Sequence, residues 1–115
     1  MSRSSVRVAI LVLGLITALV HLVVLNVSFV RESGTPDLLF TLNGLGYLSL
    51  LAAFFWKLPW ISERRTLLHY LFIGYTAITI LAWVAMGARN FIGYATKIDE
   101  LLLVAALWRS LKSGG

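Results

Sequence analysis

The residues able to do chemistry are few, and they interrupt strings that are otherwise apolar. Lys97, Asp99 and Glu100 stand together near the start of the last apolar run, His21 breaks the first, Asn43 the second and Thr79 the third. On a helix Lys97 and Glu100 are i,i+3 neighbours that can pair. Asp99 points almost oppositely and needs a partner from another segment. These are the ingredients of an ion or proton site: carboxylates and an amine to carry charge, an imidazole that titrates near neutrality, and an amide and a hydroxyl to solvate. A single histidine in an apolar helix is also a candidate axial ligand for haem or chlorophyll, here His21. His69 lies at another depth, so the two do not share one group. The plainer expectation has His21 bonded to a neighbouring helix and His69 at the headgroups.

Other chemistries are not written in the chain. There is no cysteine, which removes disulfides, thiol catalysis and thiolate metal sites. No nucleophile–base pair, His-x-x-Glu metal spacing or phosphate-binding glycine loop is found. The expectation is a protein that is not an enzyme and has no resident cofactor.

What must position these groups is membrane helix. The chain has 115 residues, of which 59% are hydrophobic and 13% charged, with a mean hydropathy of +0.87. A soluble domain carries roughly 25% charged residues, so a soluble reading fails. A hydrocarbon core of about 30 Å takes about 20 apolar residues per helix, which allows four spans and no extramembrane domain. They are read at about 6–30, 37–56, 66–86 and 91–112. The first is too long for a signal peptide, whose apolar stretch is about 7–15 residues. Thr35-Pro36-Asp37 reads as a helix start, with Thr35 as the N-cap. Pro59 in the basic stretch from Lys57 to Arg65 stops the second helix.

The expected fold is therefore an all-α membrane protein, a four-helix up-down bundle in a single domain. The net charge of +5 suits topology and anionic headgroups rather than nucleic acid. Arg3, Arg7, Lys57, Arg64, Arg65, Arg109 and Lys112 fall on one side, against Arg31, Arg89 and Lys97 on the other. The positive-inside rule then puts both termini in the cytoplasm, in a cell (inner) membrane. Arg64, Arg65 and Trp60 are expected at the lipid surface.

Small and polar residues should face the bundle interior, because helices in lipid associate by close packing and interhelical hydrogen bonds. Gly14, Thr17, Ala18, His21, Leu25 and Ser28 mark that face in the first span. Asn43, Gly46, Ser49, Leu50 and Ala53 mark it in the second, with Gly44 beside Asn43. His69, Phe72, Thr76, Thr79, Trp83 and Met86 mark it in the third. Gly14, Gly44, Gly46 and Ala53 are the packing candidates. At 1.5 Å per residue, His21 lies roughly 13 Å below the outer end of its helix. His21, Asn43, Thr79 and the charges of the fourth span then share the outer half of the bundle, and the inner half, apart from His69 and Ser49, looks dry.

Two readings of the charges compete. In one, Thr96-Lys97-Ile98-Asp99 is a variant capping box and the last helix is short, with Asp99 and Glu100 in its first turn. In the other, the helix begins near Asn90 and the charges lie inside hydrocarbon, where ionisable groups are costly and functional. The cap is the simpler expectation.

His21, Asn43-Gly44-Leu45-Gly46 and Tyr94…Lys97-Ile98-Asp99-Glu100, set in four spans, resemble a group of small uncharacterised four-helix membrane proteins. That resemblance implies the fold and no activity. The small multidrug transporters are similar in size but rest on a glutamate in the first helix, which has no acid here. Three functions remain open: a small subunit or interaction module of a larger membrane assembly, which is the first expectation; an ion- or proton-coupled transporter or channel with an outer vestibule; and a haem- or chlorophyll-binding subunit through His21. The expected partners are the lipid bilayer and other membrane subunits or further copies of the chain.

Overall fold

A computed structural model describes residues 2–35, 37–56, 63–87 and 89–113. Pro36, Lys57, Pro59, Trp60 and the side chain of Ser28 lie outside the described residues. Ser2 opens the first helix, its hydroxyl accepting from the Ser5 N–H at 3.1 Å. From there α1 runs as one rod over Arg3–Ser33. It is α-helical over Arg3–Leu19, widens to a π-helical turn at Val20–Val24, and is α-helical again over Leu25–Ser33. Gly34 ends it at φ 85°, a left-handed conformation glycine takes without a Cβ penalty.

The second helix, α2, spans Leu38–Phe55. Its N-cap is Asp37, whose carboxylate accepts from the Phe40 N–H at 2.8 Å, and not Thr35. Asp at this position satisfies an orphan N–H and also places negative charge at the positive helix end. The third, α3, spans Arg65–Met86.

The fourth, α4, spans Phe91–Lys112, and its cap is Asn90, whose side chain accepts from the Gly93 N–H at 2.8 Å. The short-helix reading is thereby overturned. Thr96 lies in the second turn, and its hydroxyl bonds back to the Ile92 carbonyl at 2.6 Å. Continuing the helix pairs the backbone of residues 91–96, which a loop there would leave open.

Each helix packs on its neighbours in sequence, and α4 closes on α1, giving a four-cornered up-down-up-down bundle 44 × 25 × 22 Å. No strand occurs among the described residues. The core holds Ile10, Tyr47, Phe54, Phe72, Leu103 and Leu107, all fully buried or nearly so. Aliphatic side chains also cover the outside: Leu38, Leu39, Ile78 and Leu81 are each at least 65% exposed. So wide an apolar exterior marks an interaction surface. The helices α1, α2 and α3 are long and apolar enough to cross a membrane. As long as α3, α4 carries Lys97, Asp99 and Glu100 in its N-terminal half.

The face of α2 is turned by one position from the sequence expectation. Gly44, Tyr47, Leu51 and Phe54 are its buried residues, while Ser49 is exposed and bonds to its own Leu45 carbonyl. In α3 the stripe His69, Phe72, Thr76 and Thr79 is buried, but Met86 is exposed.

Arginines close three helix C-termini. Arg65 donates to the Phe54 carbonyl of α2, Arg89 to the Trp83 and Val84 carbonyls of α3 at 3.0 and 2.6 Å, and Arg3 to the Ser113 carbonyl past α4. The last carbonyls of a helix have no intrahelical donor and carry partial negative charge. Arg65 is therefore turned onto the bundle end, with its guanidinium 4.3 Å from the Phe54 ring centroid.

Candidate functional site

Glu100 is nine residues into α4, about 14 Å from its first residue, and is fully buried. One oxygen, Oε1, takes the Lys97 ammonium, one turn earlier on the same helix. The other, Oε2, accepts from the Thr17 hydroxyl of α1 at 2.7 Å and the Tyr47 hydroxyl of α2 at 3.2 Å. One carboxylate thus ties three helices together, through bonds that a charged acceptor makes roughly twice as strong as neutral ones.

His21 extends the network. Its Nδ1 lies 2.8 Å from the Thr17 carbonyl and 3.3 Å from the Thr17 hydroxyl. A carbonyl only accepts, so Nδ1 carries the hydrogen and Nε2 the lone pair. The ring is 6% exposed and stands between Phe40 and Tyr47, at centroid distances of 6.4 and 6.1 Å. A macrocycle seated on Nε2 would need those rings to give way.

The π-turn that carries His21 is tied down by Asn26, whose amide donates to the Leu22 carbonyl at 2.9 Å and the His21 carbonyl at 3.4 Å. The same side chain donates to Thr41 at 3.0 Å and accepts from the Asp37 N–H at 2.9 Å, joining α1 to the start of α2. π-turns cluster at functional sites.

One turn before Tyr47, Asn43 of α2 donates to the Thr79 hydroxyl of α3 at 2.9 Å, and Tyr75 donates to the Asn43 carbonyl at 2.7 Å. Two acceptors stay open: Asp99 Oδ2 and Asn43 Oδ1 are buried without a hydrogen-bond partner. Asp99 itself is only 7% exposed. The six sequence candidates therefore divide. Lys97 and Glu100 join Thr17, Tyr47 and His21, Asn43 joins Thr79, and Asp99 stands alone.

Below the network the bundle is closed by Ile10, Leu51, Phe54, Phe72, Leu103 and Leu107, none more than 4% exposed. Beneath that layer His69 is fully buried, with Nδ1 2.7 Å from the Arg65 carbonyl and Nε2 2.9 Å from the Ser110 hydroxyl. The expectation of a headgroup position for His69 fails because both ring nitrogens have partners inside the bundle. Tyr47 and Ser110 were missed in the sequence. A signal was there for Tyr47, since a buried phenol takes a hydrogen-bond partner.

Small residues let the helices close on this network. A Cβ on Gly44 would come 2.4 Å from Leu22 and 3.0 Å from the Ala18 carbonyl, one on Gly14 2.7 Å from Leu51, and one on Gly46 2.0 Å from the Tyr75 hydroxyl. Ala53 packs against the core from its edge. No curated protein and no solved structure matches the chain. Residues 1–109 match the model of a family of unknown function, DUF7475, and the protein belongs to that family.

Proposed function

We propose that the protein is a four-span integral membrane protein, with both termini in the cytoplasm, that binds and passes protons or small cations through the charged network of α4. The observation that carries this reading is the fully buried Glu100 shared among Lys97, Thr17 and Tyr47, beside an Asp99 oxygen with no partner. Each charge near the centre of a spanning helix costs about 3 kcal/mol on insertion scales, and the α4 segment carries three. Pairing offsets two of them. The third is an acceptor in a place where a proton, a cation or a water is the available partner. The polar groups fill the outer half of the bundle and an apolar layer shuts the inner half, as in a carrier closed on one side.

The test is flux across liposomes holding a pH-sensitive dye. Wild-type protein should dissipate an imposed pH or cation gradient, and Asp99→Asn and Glu100→Gln should each bring the rate down to that of empty vesicles while still folding. A wild type that moves nothing, or variants as active as the wild type, would sink the reading.

A second reading is a small non-enzymatic subunit of a larger membrane assembly. It is favoured by Gly74 of α3, around which nothing lies within 4 Å of where a Cβ would stand. An outward glycine lets another helix approach closely. Purification in mild detergent should then bring larger partners along, and Gly74→Leu should release them. A monodisperse species with nothing attached counts against it.

A further inference from the structure

Basic residues gather at the terminal end of the bundle: Arg3 and Arg7 at the start of α1, Arg109 and Lys112 at the end of α4, and Arg64 and Arg65 at the start of α3. Arg7 and Arg65 lean on consecutive rings, Arg7 5.1 Å from the centroid of Phe55 and Arg65 4.3 Å from that of Phe54.

Two hollows meet at Arg7. One, of about 100 Å³, is lined by Arg3, Val6, Arg7, Ser110 and Ser113. The other, of about 280 Å³, is an open groove between α1 and the end of α2, lined by Ser4, Arg7, Val8, Leu11 and Phe55. The first offers the guanidinium donors of Arg3 and Arg7. The second continues from the same guanidinium along apolar side chains towards the middle of the bundle.

We infer that this is a binding site for one anionic phospholipid, its phosphate held by Arg3 and Arg7 and an acyl chain laid against Val8, Leu11 and Phe55. Charge complementarity selects the occupant: guanidinium groups match phosphate oxygens in a two-pronged geometry. An apolar groove that starts at the same arginine suits a phosphate that carries a chain. Arg3 spends one donor on the Ser113 carbonyl and keeps others, since a guanidinium has five N–H groups. The inference rests on the membrane reading above but not on the ion network, which lies on the other side of the apolar layer.

The experiment offers phosphatidylglycerol and phosphatidylcholine of equal chain length to the full chain in mild detergent and counts retained lipid by native mass spectrometry. The wild type should keep one phosphatidylglycerol in preference to phosphatidylcholine, and excess inorganic phosphate should not displace it. Arg7→Gln should weaken retention about fivefold, the factor for one basic group at an anionic headgroup. Leu11→Trp, which fills the groove without touching a charge, should also lower it and stands in if Arg7→Gln does not fold. The paired change Arg109→Gln, Lys112→Gln should leave it unaltered. Equal retention of the two lipids, displacement by inorganic phosphate, or an equal loss in the Arg109/Lys112 variant would overturn the site. Release of the protein from membranes by alkaline wash would instead overturn the membrane reading.

Discussion

Glu100 divides its two oxygens between a cation on its own helix and two hydroxyls on others, and the parts of that arrangement are not equal. Removing one member of a buried ion pair leaves the other uncompensated and costs about 3–5 kcal/mol. Glu100→Ala strands the Lys97 ammonium and should lose stability on that scale in a denaturation series in mixed micelles. Lys97→Met combined with Glu100→Leu removes both charges and should recover most of the loss, since an apolar pair of similar volume is often neutral or better. Hydrogen bonds between membrane helices average about 0.6 kcal/mol, so Thr17→Val and Tyr47→Phe should each cost little more than that, or up to about 3 kcal/mol if charge on the acceptor dominates. If the double variant is as unstable as Glu100→Ala, the pair is not what holds the three helices at this level.

Among the elements, α2 and α3 make an instructive contrast. The α3 stripe was legible because His69, Phe72, Thr76 and Thr79 are spaced at threes and fours with polar groups among them. The second helix is apolar on every side, so its periodicity carries little information, and the small residues used as markers put the face one position off. Position 47 rather than 46 or 49 turns inward because Tyr47 finds Glu100, a contact written in two distant segments at once. The π-turn at Val20–Val24 was invisible for a related reason. It depends on Asn26 reaching back to the His21 and Leu22 carbonyls, and i→i+5 bonding has no compositional signature. The start of α4 was misread because Thr96 and Asn90 are both good caps by type; the cost of open backbone decided between them. Gly44 and Gly74 show what the packing asks of these helices. Gly44→Ala would press on Leu22 and on the Ala18 backbone, which cannot swing aside, and overpacking of this kind costs about 1–3 kcal/mol. Gly74→Ala meets nothing and should be neutral or gain up to about 1 kcal/mol of helix propensity. Both are read in the same micellar denaturation. Equal losses at the two positions would mean that propensity, not the α1–α2 approach, sets the cost.

For the molecule as a whole, the arginines serve two ends, and the two can be separated. Arg3 and Arg65 close helix C-termini at one end of the bundle and Arg89 closes one at the other. Capping therefore does not discriminate between the ends, and the proposed topology rests on the imbalance of seven basic residues against three. The chain has no cysteine, so single cysteines report position without background. Ser4→Cys and Ser113→Cys lie at the basic end, and Thr35→Cys and Arg89→Cys at the other; all four positions are exposed. In intact cells a membrane-impermeant maleimide should label the second pair and reach the first only after permeabilisation. Arg89→Cys also removes a cap on α3, so Thr35→Cys, which leaves intact the backbone contacts of Thr35 with Ser33, is the cleaner of the two. Labelling of Ser4→Cys in intact cells with Thr35→Cys protected would invert the topology, and with it would move the open acceptors of Asp99 and Asn43 to the cytoplasmic half of the membrane. Labelling of both ends in intact cells would mean that the bundle does not span the bilayer at all, and the ion reading would fall with it.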